Sequence, residues 1–419
     1  TYTTSGHHNP ATTALNDGGF VITWQSTGAD TVWWDVYAQI YNASGASVGS
    51  EFLVNSYTVS NQYNPVITAL NDGGFVITWQ TDDGDSYGVV GQIYDASSSN
   101  VGSEFLVNTT RASHQWFPSI TTLNNGDFVI TWISFGQDEA GGDGVYAQIY
   151  NASGTRIGSE FQVNTYTESD QDEIDITALN DGGFVITWRS KGQDGDNYGV
   201  YAQRYDASGT NVGSEFQVNT YTTSGHHNPA TTALNDGGFV ITWHSLGADN
   251  ARWDVYAQIY NASGASIGSE LLVNSYTTSS QYNHPVITPL NDGGFVISWG
   301  VYAQIYDASG ARVGDEFLVN TYTSRNPSIA ALNDGGFVIA RESSGEDGSD
   351  DGVYAQTYDA SGNTVGTEFY VNPDTAGYWD MPSITTLDDG DFVITWNSSG
   401  VYAQRYVLEG DTFTTDISS

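Results

Sequence analysis

The sequence contains no cysteine, a single methionine and only 10 lysines and arginines in 419 residues. Without thiols there are no disulfides, no thiolate nucleophile and no sulfur-ligated metal, and export is neither demanded nor excluded. The 10 basic residues stand against 49 acidic ones, a formal charge of -39, and such a field repels nucleic-acid phosphates and anionic membranes. No nucleic-acid partner is therefore expected. The acidic excess suits a soluble surface, salty surroundings or occupancy by divalent cations. No apolar run approaches the roughly 20 residues a membrane helix needs, so no membrane insertion is expected. There is no signal peptide and no initiating Met, as in a processed or excised piece of a longer chain. No stretch holds a helical period for three turns, so α-helical folds are excluded as well.

What the chain does contain is one phrase, repeated. "NDGGFVITW" at Asn16 to Trp24 returns with its aromatic at Phe20, Phe75, Phe128, Phe184, Phe239, Phe295, Phe337 and Phe392. The spacing is 53 to 56 residues, with one step of 42. Each unit offers four strand-like segments, of the types "PVITAL" (Pro65 to Leu70), "FVITW" (Phe75 to Trp79), "VYAQIY" (Val36 to Tyr41) and "EFLVN" (Glu51 to Asn55). "NDGG" joins the first two segments and "NASG" or "DASG" the last two. Both are tight-turn chemistry and close the same end of the sheet. The other two connections emerge together at the opposite end and vary freely.

The pattern predicts an all-β fold, an eight-bladed β-propeller of four-stranded blades filling residues 1–419. The approximate repeats are 1–55, 56–108, 109–164, 165–219, 220–274, 275–320, 321–372 and 373–419. A β-solenoid has shorter rungs, and β-sandwich modules need about 100 residues each. The chain ends with Asp411 to Ser419 where a fourth strand would stand, which leaves the mode of ring closure open. "TYTTSGHHNPATTALNDGGFVITW" occurs at Thr1 and again at Thr220, an offset of 219 residues, so a four-unit block was duplicated and related sites are expected in the two copies.

The variable connections gather every histidine, among them His7, His8, His114, His226, His227, His244 and His284. They also carry Trp33, Trp34, Tyr63, Trp116, Phe117, Trp253, Tyr282, Tyr378 and Trp379. Aromatic rings can stack on sugar faces while polar groups read hydroxyls, so this face is the expected ligand-binding surface. The ligand-binding candidates are His7, His8, Trp33, Trp34, Tyr63, Trp116, His226, His227, Trp253, Tyr282 and Trp379; ordinary loop packing is the competing account. The histidine doublets lack the spacing of a zinc or nickel site. Acidic connections supply hard oxygens for calcium at Asp82, Asp83 and Asp85, at Asp138 and Asp143, at Asp194 and Asp196, and at Asp347 and Asp350, although none follows a helix-loop-helix calcium motif. No nucleophile elbow, phosphate loop or dinucleotide fingerprint occurs. The seventh unit is irregular: Arg341 replaces the tryptophan of "ITW" beside Glu342, and with Arg325 it could mark a divergent lyase-type site as readily as drift.

"ALNDGGFVITW", "GVYAQRYDASG" and "VGSEFQVNTYT", together at Ala178 to Trp188 and Gly199 to Thr222, resemble tandem repeats of very large secreted bacterial proteins of RTX or adhesin type. The resemblance spans nearly the whole chain. It implies export to a secreted or cell-surface setting, where calcium is abundant, and further domains in a longer chain. It transfers no functional residue, and the calcium-binding nonapeptides of such proteins are missing here. The expected function is a lectin-like module that binds glycans or polysaccharide, assisted by calcium. A structural or protein-binding module of an adhesin and a polysaccharide lyase or glycoside hydrolase are the alternatives.

Overall fold

The repeated turn sets the first constraint. In the computed structural model, which describes residues 7–27, 32–82, 86–138, 141–246, 252–275, 284–319, 324–344, 351–372, 380–398, 400–409 and 412–416, Gly18 takes φ +83°. That is a left-handed conformation only glycine adopts freely. The second glycine is required for a different reason: a Cβ on Gly19 would lie 2.4 Å from the Tyr41 carbonyl oxygen on the third strand. Asp17 Oδ1 accepts the Gly19 N–H at 2.9 Å and closes the turn. The other turn is held by its first residue, as where Asp206 Oδ1 accepts N–H groups from Ser208 and Thr210, both at 2.9 Å.

These turns generate eight four-stranded antiparallel sheets, each running in strict chain order, and the sheets are the blades of a β-propeller. In the fourth blade the strands are Gln171–Ala178, Phe184–Lys191, Tyr198–Tyr205 and Asn211–Gln217. The fourth strand of the last blade is Thr412–Asp416, paired with Val401–Glu409, so that blade is completed by the C-terminal strand of the chain. The chain divides into two compact units, one of residues 1–69 and 288–419 and one of residues 70–287.

Period-two alternation explains how blades pack within each unit. In residues 70–287, Phe184, Ile186 and Trp188 point to one side and join Val129, Val145, Ala147 and Ile149 of the third blade. Val185 points to the other side and joins Phe239, Ile241 and Trp243 of the fifth. In the other unit Phe20, Ile22 and Trp24 pack on Leu387 and Val393, which brings the first and last blades together. Trp79, Trp132, Trp188, Trp243 and Trp299 are fully buried.

Two asparagines of the repeat carry polar links. The first residue of the "NDGG" turn donates to the next blade: Asn124 reaches the Leu179 and Asn180 carbonyls at 3.3 and 3.2 Å, and Asn180 the Leu234 carbonyl at 2.8 Å. The asparagine of "VN" latches the inter-blade connection to its own third strand, as where Asn164 Oδ1 accepts the Val145 N–H at 2.8 Å.

A β-bulge recurs in the first strands. The register slips between Asp172 and Asp175 and between His227 and Ala230. Among the described residues the bulged position is left-handed at Asn9, Asn64, Phe117, Glu173, Asn228, Asn326 and Met381, with φ from +46° to +53°. Asparagine tolerates this basin; a residue without its local hydrogen bonding is disfavoured there by about 1–2 kcal/mol.

Removing one interdigitating tryptophan is expected to be costly. Trp188→Ala should destabilise the protein by about 3–5 kcal/mol, read from denaturant unfolding. A loss under about 1 kcal/mol would mean that the blade interface closes over the cavity.

Candidate functional site

Three slots meet at the contact between the fourth and fifth blades: the residue after "FVITW", the second residue of the next blade's first strand, and the start of that blade's third strand. Within residues 70–287 these slots hold Arg189, His227 and Trp253. Alternation puts Arg189 on the same side as Val185 and Thr187, toward the fifth blade, where Thr187 and Thr231 hydroxyls lie 3.1 Å apart. Arg189 thereby meets His227 Nδ1 at 2.5 Å.

Arg189 is held from several sides. Its Nε and one terminal nitrogen make a forked pair with both Asp172 oxygens at 2.7 Å, and Glu173 Oε1 lies 2.8 Å from the other nitrogen. The guanidinium lies 4.1 Å from the centre of the Tyr198 ring. The second Glu173 oxygen accepts the Asn228 N–H at 2.7 Å, so this left-handed glutamate ties the fourth blade to the fifth. Two carboxylates thus compensate one cation.

The histidines continue the group. His227 and His244 are register partners, with ring centres 5.6 Å apart. Trp253 stands edge-on to both, at 5.2 and 4.8 Å, and His284 stacks on His244 at 5.9 Å. Burial pushes His244 down to about 3, with the charges of His227, His284 and Arg189 acting in the same sense. Burial and then Arg189 push His227 down to about 4, and burial lowers His284. These rings are neutral at neutral pH and offer directed donors and acceptors beside aromatic faces. Burial raises Glu173, opposed by the Asn228 N–H and by Arg189.

The duplicated copy shows the same ring pair. In residues 1–69 with 288–419, His8 and Trp34 have centres 5.2 Å apart, and Asn397, in the slot of Arg189, lies 3.5 Å from His8 Nδ1. Trp33 is exposed and Tyr63 half-buried. The doublets split: His7 and His226 turn inward and are buried, and burial brings His226 to about 4. In the third blade His114 and Trp116 stack at 7° and 5.1 Å, and Tyr87 stands 5.4 Å from His114.

Tyr282, Tyr378, Trp379, Asp83, Asp85, Asp347 and Asp350 lie outside the described residues. Among the described residues no group of three or more His, Asp or Glu converges as a metal donor set. Asp138 is engaged by Tyr146, Gln162 and Asn164 at 2.7, 2.7 and 3.0 Å, part of the "VN" latch. Asp143 is pushed up to about 6 by burial and then by Asp170, Asp172 and Asp138. Asp82 ends its strand opposite Tyr87, and Asp194 Oδ1 accepts the Asp196 N–H at 3.2 Å. Arg341 is fully buried, ion-paired with Glu368 and near the Tyr354 ring, so it fills the tryptophan slot of its blade. Buried Glu342 accepts from Asn326 at 3.1 Å. Arg189, Asp172, Glu173 and Tyr198 carry no motif of their own; the one signal for them in the sequence is that the residue after the constant "FVITW" changes from blade to blade.

The architecture defines the class, an eight-bladed β-propeller with four-stranded blades. No family model matches the chain and no curated protein does. Among solved structures the chain is similar to the polysaccharide lyase Uly1, at 12% identity and TM-score 0.51 over 84% of this chain and 90% of that one. It is also similar to an ulvan lyase bound to "-[GlcA(1-4)Rha3S]-", at 11% identity and TM-score 0.50 over 85% and 94%. An α-L-arabinofuranosidase of Fusarium graminearum in complex with an iminosugar inhibitor gives 12% and 0.46 over 70% and 92%. At these identities the likeness is one of fold.

The neutral histidines make a signed prediction. From pH about 6.5 down to about 4 for His227 and about 3 for His244, the unfolded chain takes up protons that the folded rings refuse, so their contribution is complete above this window and lost as pH falls through it. Asp143, raised to about 6, acts in the opposite sense below pH 6. A His227→Gln/His244→Gln variant should lose less stability between pH 6.5 and 4 than the parent, compared by denaturant unfolding. An equal loss would mean that these rings are charged in the fold.

Proposed function

We propose that the protein is a carbohydrate-binding, lectin-like propeller that works outside the cell, secreted or at a bacterial surface, as one module of a longer chain. The observation that carries this reading is the convergence of His227, His244 and Trp253 with Tyr198 and Arg189. Ring faces suit the C–H faces of a sugar, and neutral imidazoles suit its hydroxyls. The related His8 and Trp34 pair supports a second, weaker site and gain by multivalency. With a formal charge of -39 and Arg189 compensated by Asp172 and Glu173, an uncharged glycan is favoured over a polyanion. Fold neighbours that are polysaccharide lyases add an analogy of architecture only. The resemblance of the repeats to exported bacterial ones supports the extracellular setting. Calcium enters the proposal as an ion that orders the acidic connections.

A glycan array probed with labelled full-length chain, with calcium and again with chelator, tests this directly. Saturable binding to a related set of neutral glycans is expected, reduced at least tenfold by Trp253→Ala, a loss of about 1.4 kcal/mol, and less by Trp34→Ala. Loss with chelator brings in the acidic connections. No binding in either arm would overturn the reading and leave a structural or protein-binding role.

Polysaccharide cleavage has one specific observation in its favour: neutral His227 contacts both Arg189 and Tyr198. In an elimination the imidazole, its Nδ1 released by Arg189, would take the proton next to a uronate carboxylate, the electron pair would form a carbon–carbon double bond as the bond to the glycosidic oxygen breaks, and the phenol would protonate that oxygen. The compensation of Arg189 argues against a uronate there. Ultraviolet detection of unsaturated chain ends from uronate polymers should give none; their appearance, lost in His227→Gln, would replace binding by lyase activity.

A further inference from the structure

The bulged position of the first strands compares the blades with one another. Asn9, Asn64, Asn228 and Asn326 fill it in four blades, whereas the third, fourth and eighth blades carry Phe117, Glu173 and Met381 with φ +50°, +50° and +53°. Glu173 has visible work, bridging Arg189 and the Asn228 N–H. Phe117 does not: its side chain is 55% exposed, and its ring meets Trp116 at 6.2 Å and 52°. A large apolar residue has thus been placed in an unfavourable backbone conformation without entering the core. Met381 shares this position and this exposure; what sets Phe117 apart is that its ring stands beside Trp116, itself stacked on His114, and a strained residue joined to such a group points to a functional constraint.

The neighbourhood fits stacking. Trp116 lies beside Phe117 and is stacked on His114, whose Nδ1 is fixed by the Ser86 hydroxyl at 2.5 Å. The first strands of the third and fourth blades pack side by side, as do those of the fourth and fifth. Phe117, Glu173 and Asn228 are therefore successive occupants of one position along a track that leads to His227.

We infer that Phe117 and Trp116 form a second, apolar subsite continuous with the histidine cluster, so that the ligand is an extended, uncharged polysaccharide chain and not a single terminal sugar. This rests on the glycan reading above and specifies it. One sugar face stacks on Phe117 and Trp116, and the chain passes the polar groups at Glu173 and Asn228 to reach His227 and Trp253.

The test is calorimetric titration of the full chain with disaccharides and hexasaccharides of the cello, manno and xylo series, together with thermal unfolding. The parent should bind a hexasaccharide more tightly than its disaccharide. Phe117→Asn, which installs the residue of the sister blades, should remove about 5- to 10-fold of that gain, leave disaccharide binding unchanged and not lower the Tm. Phe117→Tyr should keep the gain. If the parent binds these sugars and Phe117→Asn keeps the chain-length gain, the subsite is overturned and the glycan reading stands. A fall in Tm for Phe117→Asn would assign Phe117 to packing and likewise overturn the subsite. If the parent binds no member of any series, the proposal fails together with the reading it rests on.

Discussion

The structure depends on one packing event: a Phe, Ile and Trp row on the second strand of a blade pressed against the Val and Ala row of its neighbour. Phe184, Ile186 and Trp188 against Val129, Val145 and Ala147 are the clearest instance. Large side chains on one side and small or β-branched ones on the other let twisted sheets stack without voids. Every other constant feature serves that contact. The glycine turn holds the strand in register, and the two asparagines satisfy the backbone groups that stacking would bury unpaired.

Strand alternation connects this scaffold to the site. The row that ends in Trp188 is followed by Arg189, which points to the opposite side and so toward the next blade. The rigid interface fixes where that side chain emerges, and the apolar packing does not depend on which residue stands there. Position and identity are decoupled, which is why the same slot holds Gln25, Arg189, His244 and Asn397 in different blades. A site built this way gains its geometry from the core and its chemistry from single substitutions. The left-handed bulge works similarly, since it aims one residue per blade and accepts asparagine most easily.

The electrostatics of the cluster follow from burial more than from charge. Imidazoles packed between Trp253, Tyr198 and each other lose water, and their charged forms are disfavoured. Arg189 keeps its charge because Asp172 and Glu173 share the same enclosure. The outcome is a largely buried, ring-rich cluster with no net positive charge on a protein of formal charge -39.

The strand and turn plan was legible because turn chemistry and period-two alternation are local: glycine pairs, Asx turns and the spacing of Phe20, Ile22 and Trp24 act within a few residues of themselves. His227 and Trp253 were legible as candidates because aromatic residues and histidines in variable connections stand out against a constant background. Arg189, Asp172 and Glu173 were not, since their meaning comes from neighbours 17 to 55 residues away. The inward turn of His7 and His226, the employment of Asp138 in a structural latch and the burial of Arg341 were equally hidden. The sequence by itself determined how many blades form and which residues fall at each variable edge, because local propensity and repetition suffice for that. Only the tertiary structure decided which of those residues meet, because contacts between blades depend on the packing angle and register of whole sheets, and no short stretch of sequence encodes those.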